Sequence, residues 1–452
     1  MRNRGVGSLG GKSIDDTLIF YADRFHPEGG LYTAQQMVEN GMVSRHQNHL
    51  SQYGTGAFDG GRVLSRVRNV DVLQSPEAQV RYLRETPMPT ANKVQLFGIT
   101  FREHLQRQIQ SASYLLIANP EQDPTGMYRE VEAFLMGRGR DIQPREKFIF
   151  ADLDLDFLIQ AALKTIKANV LLGIQTEGGK GVDPRMGGYF RPLVFRSNRY
   201  DKKGKRMLDY GVYSLEHNWA MTITFVEWGK YLPERNVVML YPTPVQAEGR
   251  NHKLVPNYGY GGRPKNLAMR FGYSEAILHD PDGNVLEGTG ENIFVKKDGV
   301  FSTPPLSLSI LPGTKRQIVL EMAKALDIEI VEESFDLEFL MKCDAAFFTG
   351  TAAGVAPIEK IENPFSGIEN PKYKHCTPLP AEHTFDMHDP DILKLQEQYQ
   401  YLIYGDDRLL PKLKPLQEKV RVRLPMEEIV IDEQLIEAFL HPPTGRAVLS
   451  LT

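Results

Sequence analysis

A mixed α/β (α+β) fold is predicted by three observations. Two long stretches carry apolar residues at helical spacing, a later region breaks into short strands joined by tight turns, and the composition is that of an ordinary globular chain, 41% hydrophobic and 24% charged over 452 residues. At roughly 150 residues per domain the length suggests about three domains, and two large ones fit it equally well. The 53 Lys and Arg against 57 Asp and Glu leave a net charge of −4, so no broad basic face is expected for nucleic acid. Two cysteines, Cys343 and Cys376, are too few for a disulfide scaffold and point to a reducing compartment. No apolar run is predicted to approach the ~18 residues of a membrane span, with pieces such as Tyr114 to Ala118 among the longest. The opening MRNRGVGSLGGKS has arginines but lacks the apolar core of a secretory signal. A cytoplasmic protein without nucleic-acid or membrane partners is the resulting expectation.

In chain order, the glycine-rich first dozen residues are expected to be mobile. From 100 to 117 the positions Phe101, Leu105, Ile109, Ala112 and Leu116 recur every three or four residues, which predicts an amphipathic helix with Arg107 off the apolar stripe. The segment 119–147, rich in charge, Gly and Pro, reads as an insertion or long surface excursion. A second helix is predicted over about 154–172, with Asp154 and Asp156 at the end where the helix dipole favours acids. GIQTEGGKGVDPRMGG is loop by composition, and LPERN after Tyr231 reads as a linker. Beyond it EAILHD, NVLEG, ENIFVKK and VFSTP are predicted as four strands, with DPDG and DG as turns. Leu311-Pro312-Gly313 opens a helix running to Leu326, and AAFF (345–348) is a buried strand leading into TGTAAG. Residues 362–388 read as proline-rich loop, and Ile392, Leu395, Tyr399, Leu402 and Ile403 form a last helical stripe.

Single motifs are weak. Glu287-Gly-Thr-Gly-Glu-Asn lacks the glycine pattern of a dinucleotide site. Asp280, Asp282 and Asn284 mimic a calcium loop, but Gly283 is misplaced and a hairpin turn explains them better. His375, Cys376, His383, Asp386 and His388 match no standard metal spacing, so no metal is expected.

The ordered set is stronger. KLVPNYGYGGRPKNLAMRFGYSEAILHDPDGNVLEGTGENIF (253–294) is followed by LSILPGTKRQ and then FFTGTAAGVAPI. A lysine five residues before a tyrosine, an E-G-x-G-E-N-x-F strand, an L-P-G helix opening and a T-G-T-A-A turn, in that order, strongly resemble the class IV (fold-type IV) aminotransferases dependent on pyridoxal 5'-phosphate (PLP). Within that class the likeness is to the branched-chain amino acid aminotransferases. YGTGAFDGGR, FREHLQR, YFRPLVF and WGKYL match more loosely, and the resemblance covers about residues 50 to 405.

The resemblance implies a two-domain enzyme with PLP in the cleft between domains. The division would be an N-terminal arm at 1–40 and a small α/β domain at 41–232 with its insertion at about 119–150. A linker at 233–240, a large PLP-binding domain at 241–405 and a C-terminal extension at 406–452 would follow. A homodimer or dimer-based oligomer is also implied. Lys253 would form the Schiff base with PLP, and burial with a nearby cation can lower a lysine's pKa for that task. Lys265, the near rival, falls in the helix that should follow. Glu287 would face the pyridine nitrogen and Tyr258 the phenolic oxygen. Arg107 would clamp the phosphate, with the helix beginning at Leu311, Gly313 and Thr314 and the Gly350-Thr351 turn adding donors. Lys315 departs from the pattern, since relatives usually have threonine there; either the hydroxyl contact shifts to Thr314 or the lysine charge replaces it. Tyr53, Phe58, Tyr189, Arg191 and Tyr231 would surround the substrate, with Ala352 and Ala353 offering backbone N–H groups to its α-carboxylate.

The implied reaction is ping-pong transamination of L-leucine, L-isoleucine and L-valine with 2-oxoglutarate. Its rivals are a D-amino acid or (R)-amine transaminase, an aminodeoxychorismate lyase and a natural-product aminotransferase. A catalytically silent PLP-binding paralogue is the non-enzyme alternative.

Overall fold

The computed structural model describes residues 16–23, 26–40, 42, 54–73, 75–123, 125–137, 150–197, 199–200, 206–207, 218–227, 236–246 and 249–441. The first dozen residues, Tyr53, Tyr231 and most of LPERN lie outside them.

The first large sheet is antiparallel. Its order is Arg421–Arg423, Leu96–Ile99, Gly61–Ser65, Gly188–Arg196, Trp219–Val226, Ile19–Asp23 and Gly30–Tyr32, with Gly56–Phe58 also paired to Gly188–Arg196. The longest pairing aligns Tyr189 with Val226 and Arg191 with Thr224. Residues two apart on a strand share a face, so Tyr189 and Arg191 project together. Residues 19–23 and 30–32 of the expected arm and 421–423 of the expected extension are thus strands of one sheet. Thr100 N–H donates to the Val420 carbonyl at 2.7 Å and helps pin the returning chain.

Two helices cover this sheet. Phe101–Tyr114 follows the predicted stripe, burying Phe101, Leu105, Ile109 and Ala112; Leu116 falls beyond it, in the left-handed region at φ 55°. Leu155–Gln175 begins where Asp154 accepts a hydrogen bond from the Phe157 N–H at 2.6 Å, and runs 21 residues. It corrects the expectation about apolar length, being long and apolar enough to cross a membrane. Its Leu158, Ala162, Ile166 and Val170 are instead buried in the core beneath the sheet. The insertion carries a helix at Met127–Gly137 that composition did not announce.

The second half is built on two smaller sheets. In one, Val237–Leu240 lies between parallel partners Glu275–Ile277 and Lys360–Glu362, with Glu382–Thr384 at the edge. The second half of the expected linker is therefore a central strand, as its Val-Val-Met-Leu run suits. The other sheet runs Ile330–Glu332, Val300–Thr303, Asn292–Lys297, Ala345–Gly350 and Gly354–Pro357. Its register sets Asn292 opposite Thr349. NVLEG is not a regular strand: it folds back on EAILHD through the Leu286 N–H to Leu278 carbonyl and Leu278 N–H to Glu287 carbonyl bonds, both 2.9 Å. The 362–388 loop contains the edge strand Glu382–Thr384 and a short turn of helix at Pro371–Tyr373. His375 and His383 meet the Pro281 and Cys343 carbonyls there. Helices Thr314–Leu326 and Pro390–Tyr404 pack together, and Ile318, Val319, Leu395 and Tyr399 join Leu64 and Ile99 of the first sheet in one apolar cluster. That cluster ties the two halves beside the helix openings.

Candidate active site

Lys253 is fixed by its backbone. Its N–H donates to Ser111 Oγ at 3.0 Å, and its carbonyl accepts from the Phe58 N–H at 3.1 Å. Leu254 then caps the helix Val255–Arg270, whose second residue is Pro256. The side chain is left to the cavity, where Nζ donates to Tyr258 Oη at 2.7 Å and lies 5.2 Å from the ring centres of both Phe58 and Tyr258. The expectation of a lowered lysine pKa is corrected. Burial does pull the ammonium down, and Arg107 adds to that, but the oxygens of Tyr258, Asp59 and Tyr189 hold it above its usual value. Lys265 instead pairs with Glu275 at 2.6 Å.

Arg107 turns inward from its helix onto Asp59. Nε and Nη2 make a fork at 2.7 and 2.9 Å, while Nη1 reaches the Pro312 carbonyl at 2.8 Å. His104 Nδ1 meets the same carboxylate at 2.8 Å, and its Nε2 is 3.4 Å from Thr314 Oγ1. Burial alone would raise Asp59, but Arg107 and His104 hold it well below the usual carboxylate range. Burial dominates at His104 and pushes it down to about 4 despite that carboxylate.

This predicts a pH effect on stability. His104 resists protonation in the fold, whereas an unfolded histidine takes up a proton below its ordinary 6.5. The stabilisation is complete above that value and is lost as pH falls toward 4. Burial raises Glu287 and Glu291, which favours the fold in acid, so the contribution must be read as a difference. The stability gap between the wild type and His104→Gln should shrink by about 2 kcal/mol from pH 7 to pH 5. Urea denaturation at both pH values measures it; a constant gap would mean an imidazole whose pKa folding leaves unshifted, and a widening gap one held charged in the fold.

Glu287 is buried, accepting from Arg250 Nη2 at 2.9 Å, Asn292 Nδ2 at 3.2 Å and the Leu311 N–H at 3.2 Å. It hydrogen-bonds Asn292 and Leu311, which border the cavity, but does not itself border it. Asn292 also donates to the Leu311 carbonyl at 3.0 Å. A Cβ on Gly313 would sit 2.0 Å from Asn292 Oδ1, so the turn before Thr314–Leu326 requires glycine. Lys315, on that helix's first turn, is buried, and Nζ donates to Thr100 Oγ1 at 2.9 Å.

One cavity of about 170 Å³ gathers these groups. Lys253, Tyr258, Arg107, Leu311, Gly313, Thr314, Lys315, Gly350 and Thr351 border it, as do Phe58, Tyr189, Arg191, Ala352 and Ala353. Every sequence-predicted site residue within the described residues is among them except Glu287. Arg191 lies 5.2 Å from the ring centres of Phe58 and Tyr189. Sequence reasoning missed Asp59, His104, Arg250 and Asn292, although the matched segments FDGGR, FREHLQR and E-N-x-F contain three of them. Thr349 Oγ1 and Glu291 Oε1, on residues lining this cavity, are buried without hydrogen-bond partners.

Comparison with known proteins gives the family and the fold. The sequence model of the family described as amino-transferase class IV matches residues 92–361, more than half of the chain. The chain belongs to the class IV amino-transferase family. It is similar to the branched-chain-amino-acid aminotransferase of Salmonella typhimurium, 31% identical over 216 residues, covering 46% of this chain and 63% of that protein. A putative branched-chain-amino-acid aminotransferase of Methanocaldococcus jannaschii is 48% identical over 106 residues, covering 24% and 37%. The matches thus span less than two thirds of these curated relatives' length. Among solved structures, the branched-chain aminotransferase of Thermoproteus uzoniensis with norvaline aligns at a TM-score of 0.56 and 21% identity, covering 90% of this chain and 99% of that one. The T.th. branched-chain amino acid aminotransferase complexed with N-(5'-phosphopyridoxyl)-L-glutamate aligns at 0.57 and 21%, covering 90% and 98%. At these identities the likeness is one of fold.

Proposed function

We propose that this chain is a PLP-dependent aminotransferase that moves the amino group of L-leucine, L-isoleucine or L-valine to 2-oxoglutarate. The observation that carries this reading is the Lys253–Tyr258 contact at 2.7 Å in a cavity also bordered by Arg107 and the opening of the Thr314 helix. The donor set fits the cofactor. Arg107, Lys315, the free N–H groups of the helix's first turn and Thr351 make an anion cup. Glu287, hydrogen-bonded to Asn292 and Leu311 of the cavity wall, would serve the ring nitrogen, and Arg250 keeps that carboxylate oriented. Thr349 Oγ1 is a buried hydroxyl still able to bond a ligand.

PLP, when bound, supplies an electrophilic aldehyde carbon and an electron-accepting ring. The chain's residues do the rest. Lys253 Nζ takes the proton from the substrate's Cα, and Tyr258 Oη holds Nζ in position for it. The Thr351-Ala352-Ala353 turn binds the α-carboxylate through backbone N–H groups. Phe58 and Tyr189 give an apolar aromatic wall that suits a branched side chain and excludes water. Arg191, 5.2 Å from both ring centres, pairs the distal carboxylate of glutamate in the second half-reaction. The two-domain division, a homodimeric assembly and a cytoplasmic setting belong to the same proposal; the buried, unpaired thiols Cys343 and Cys376 suit a reducing compartment.

A panel of amino donors with 2-oxoglutarate tests the reading. Formation of 2-oxo acid from L-leucine, L-isoleucine and L-valine should exceed that from D-alanine by at least about tenfold, following pocket-level discrimination. Strict preference for the D-donor would sink it.

A further inference from the structure

Lys315 is a buried lysine with no carboxylate partner among the described residues. It is 2% exposed and borders the cavity, and among the described residues no carboxylate approaches Nζ within ion-pair distance. Its partner is the Thr100 hydroxyl, which donates onward to the Ile99 carbonyl at 2.7 Å. Thr100 keeps a left-handed φ of 50° in that position, a strained conformation for a β-branched residue. The charges around Nζ come from two elements. Glu103, His104 and Arg107 lie on the Phe101 helix, and Asp59 and Arg62 flank the turn into Gly61–Ser65. Asp59 is already taken by Arg107 and His104. Burial first, then the Arg107 and Arg62 charges, bring the lysine down to about 7. A buried ammonium beside two guanidinium groups is costly without a counter-charge, and the side of the cavity it shares with Arg107 and Thr314 is where a phosphate would supply one.

Resting on the cofactor assignment above, we propose that Lys315 is a neutral amine until a phosphate group enters the cavity, and that it takes one proton from solvent as the phosphate dianion binds. A threonine at this position could not do this. Phosphate binding is therefore coupled to proton uptake in this chain. With the amine near pKa 7 when free, about 0.9 proton is taken up per phosphate at pH 8. Binding is tightest toward neutral pH and weakens as pH rises, by up to about tenfold per unit.

The test uses the full chain stripped of cofactor and 4'-deoxypyridoxine 5'-phosphate, which has the phosphate but no aldehyde and so leaves Lys253 out of the reaction. Calorimetric titration at pH 8 in phosphate-free buffers of differing ionisation enthalpy counts the protons. The wild type should take up close to one. Lys315→Arg, which cannot lose its charge, should bind with near wild-type affinity and no uptake. Lys315→Met, for which folding needs no buried charge, should bind about tenfold or more weakly, also without uptake. Equal uptake in the wild type and either variant would assign the proton to His104 or the phosphate and overturn the inference alone. If the wild type binds neither this analogue nor PLP, the cofactor reading falls and this inference with it.

Discussion

Lys253→Ala is expected to lower transamination of L-leucine by at least roughly 10³-fold, since in the proposed function one side chain would both hold the cofactor covalently and move the Cα proton. The fold should survive. The structural bonds at this position run through the backbone, to Ser111 Oγ and from the Phe58 N–H, and alanine keeps both. Stability measured by denaturant should therefore move by less than about 1 kcal/mol, while the yellow colour of the cofactor-loaded protein disappears. Circular dichroism, visible absorbance and turnover on one preparation separate these effects. A variant that folds, loses the colour and still turns over at the wild-type rate would refute the assignment of Lys253 and the reaction built on it.

Arg107→Gln is expected to act twice. Asp59, wholly buried, would lose the fork at 2.7 and 2.9 Å and keep only His104 and the Gly60 N–H. Breaking a buried pair from one side costs about 3–5 kcal/mol. The anion cup would lose its guanidinium, so PLP should bind at least about tenfold more weakly. The two effects are separable. Adding Asp59→Asn removes the stranded carboxylate and should restore most of the lost stability, because the pair interacts directly and single-variant costs do not add. It should restore none of the PLP affinity. Urea midpoints and equilibrium dialysis give the two readouts. If the double variant is as unstable as the sum of the singles, Asp59 and Arg107 are not an energetic unit.

Much of the site is legible in the sequence because its pieces are local. A lysine and tyrosine five apart at a helix start, or a glycine before a helix's first turn, carry their geometry within one element. The partners that orient those pieces are not local. Asp59 reaches Arg107 across 48 positions, Asn292 reaches Leu311 across 19, and Lys315 reaches Thr100 across 215. Glu287 illustrates the limit from the other side. Its motif identifies it, yet only packing reveals that it is held by Asn292 and Leu311, which border the cavity while it does not. Element types fared similarly. Helices with a clear apolar stripe were visible, whereas the Met127–Gly137 helix and the Arg421–Arg423 strand were not, because the first exposes Met127, Val131 and Phe134 and the second gains its hydrogen bonds only by returning to Leu96–Ile99.

The sequence by itself determined the family's ordered motifs, the helix openings and turns that present them, and the residue types needed for PLP chemistry, since spacing along one element dictates local geometry. Only the tertiary structure decided the protonation of the site. Burial and neighbours from distant segments hold Asp59 charged, His104 neutral, Lys253 above its usual range and Lys315 near 7. A charge's energy depends on what surrounds it in space, and no spacing along the chain records that.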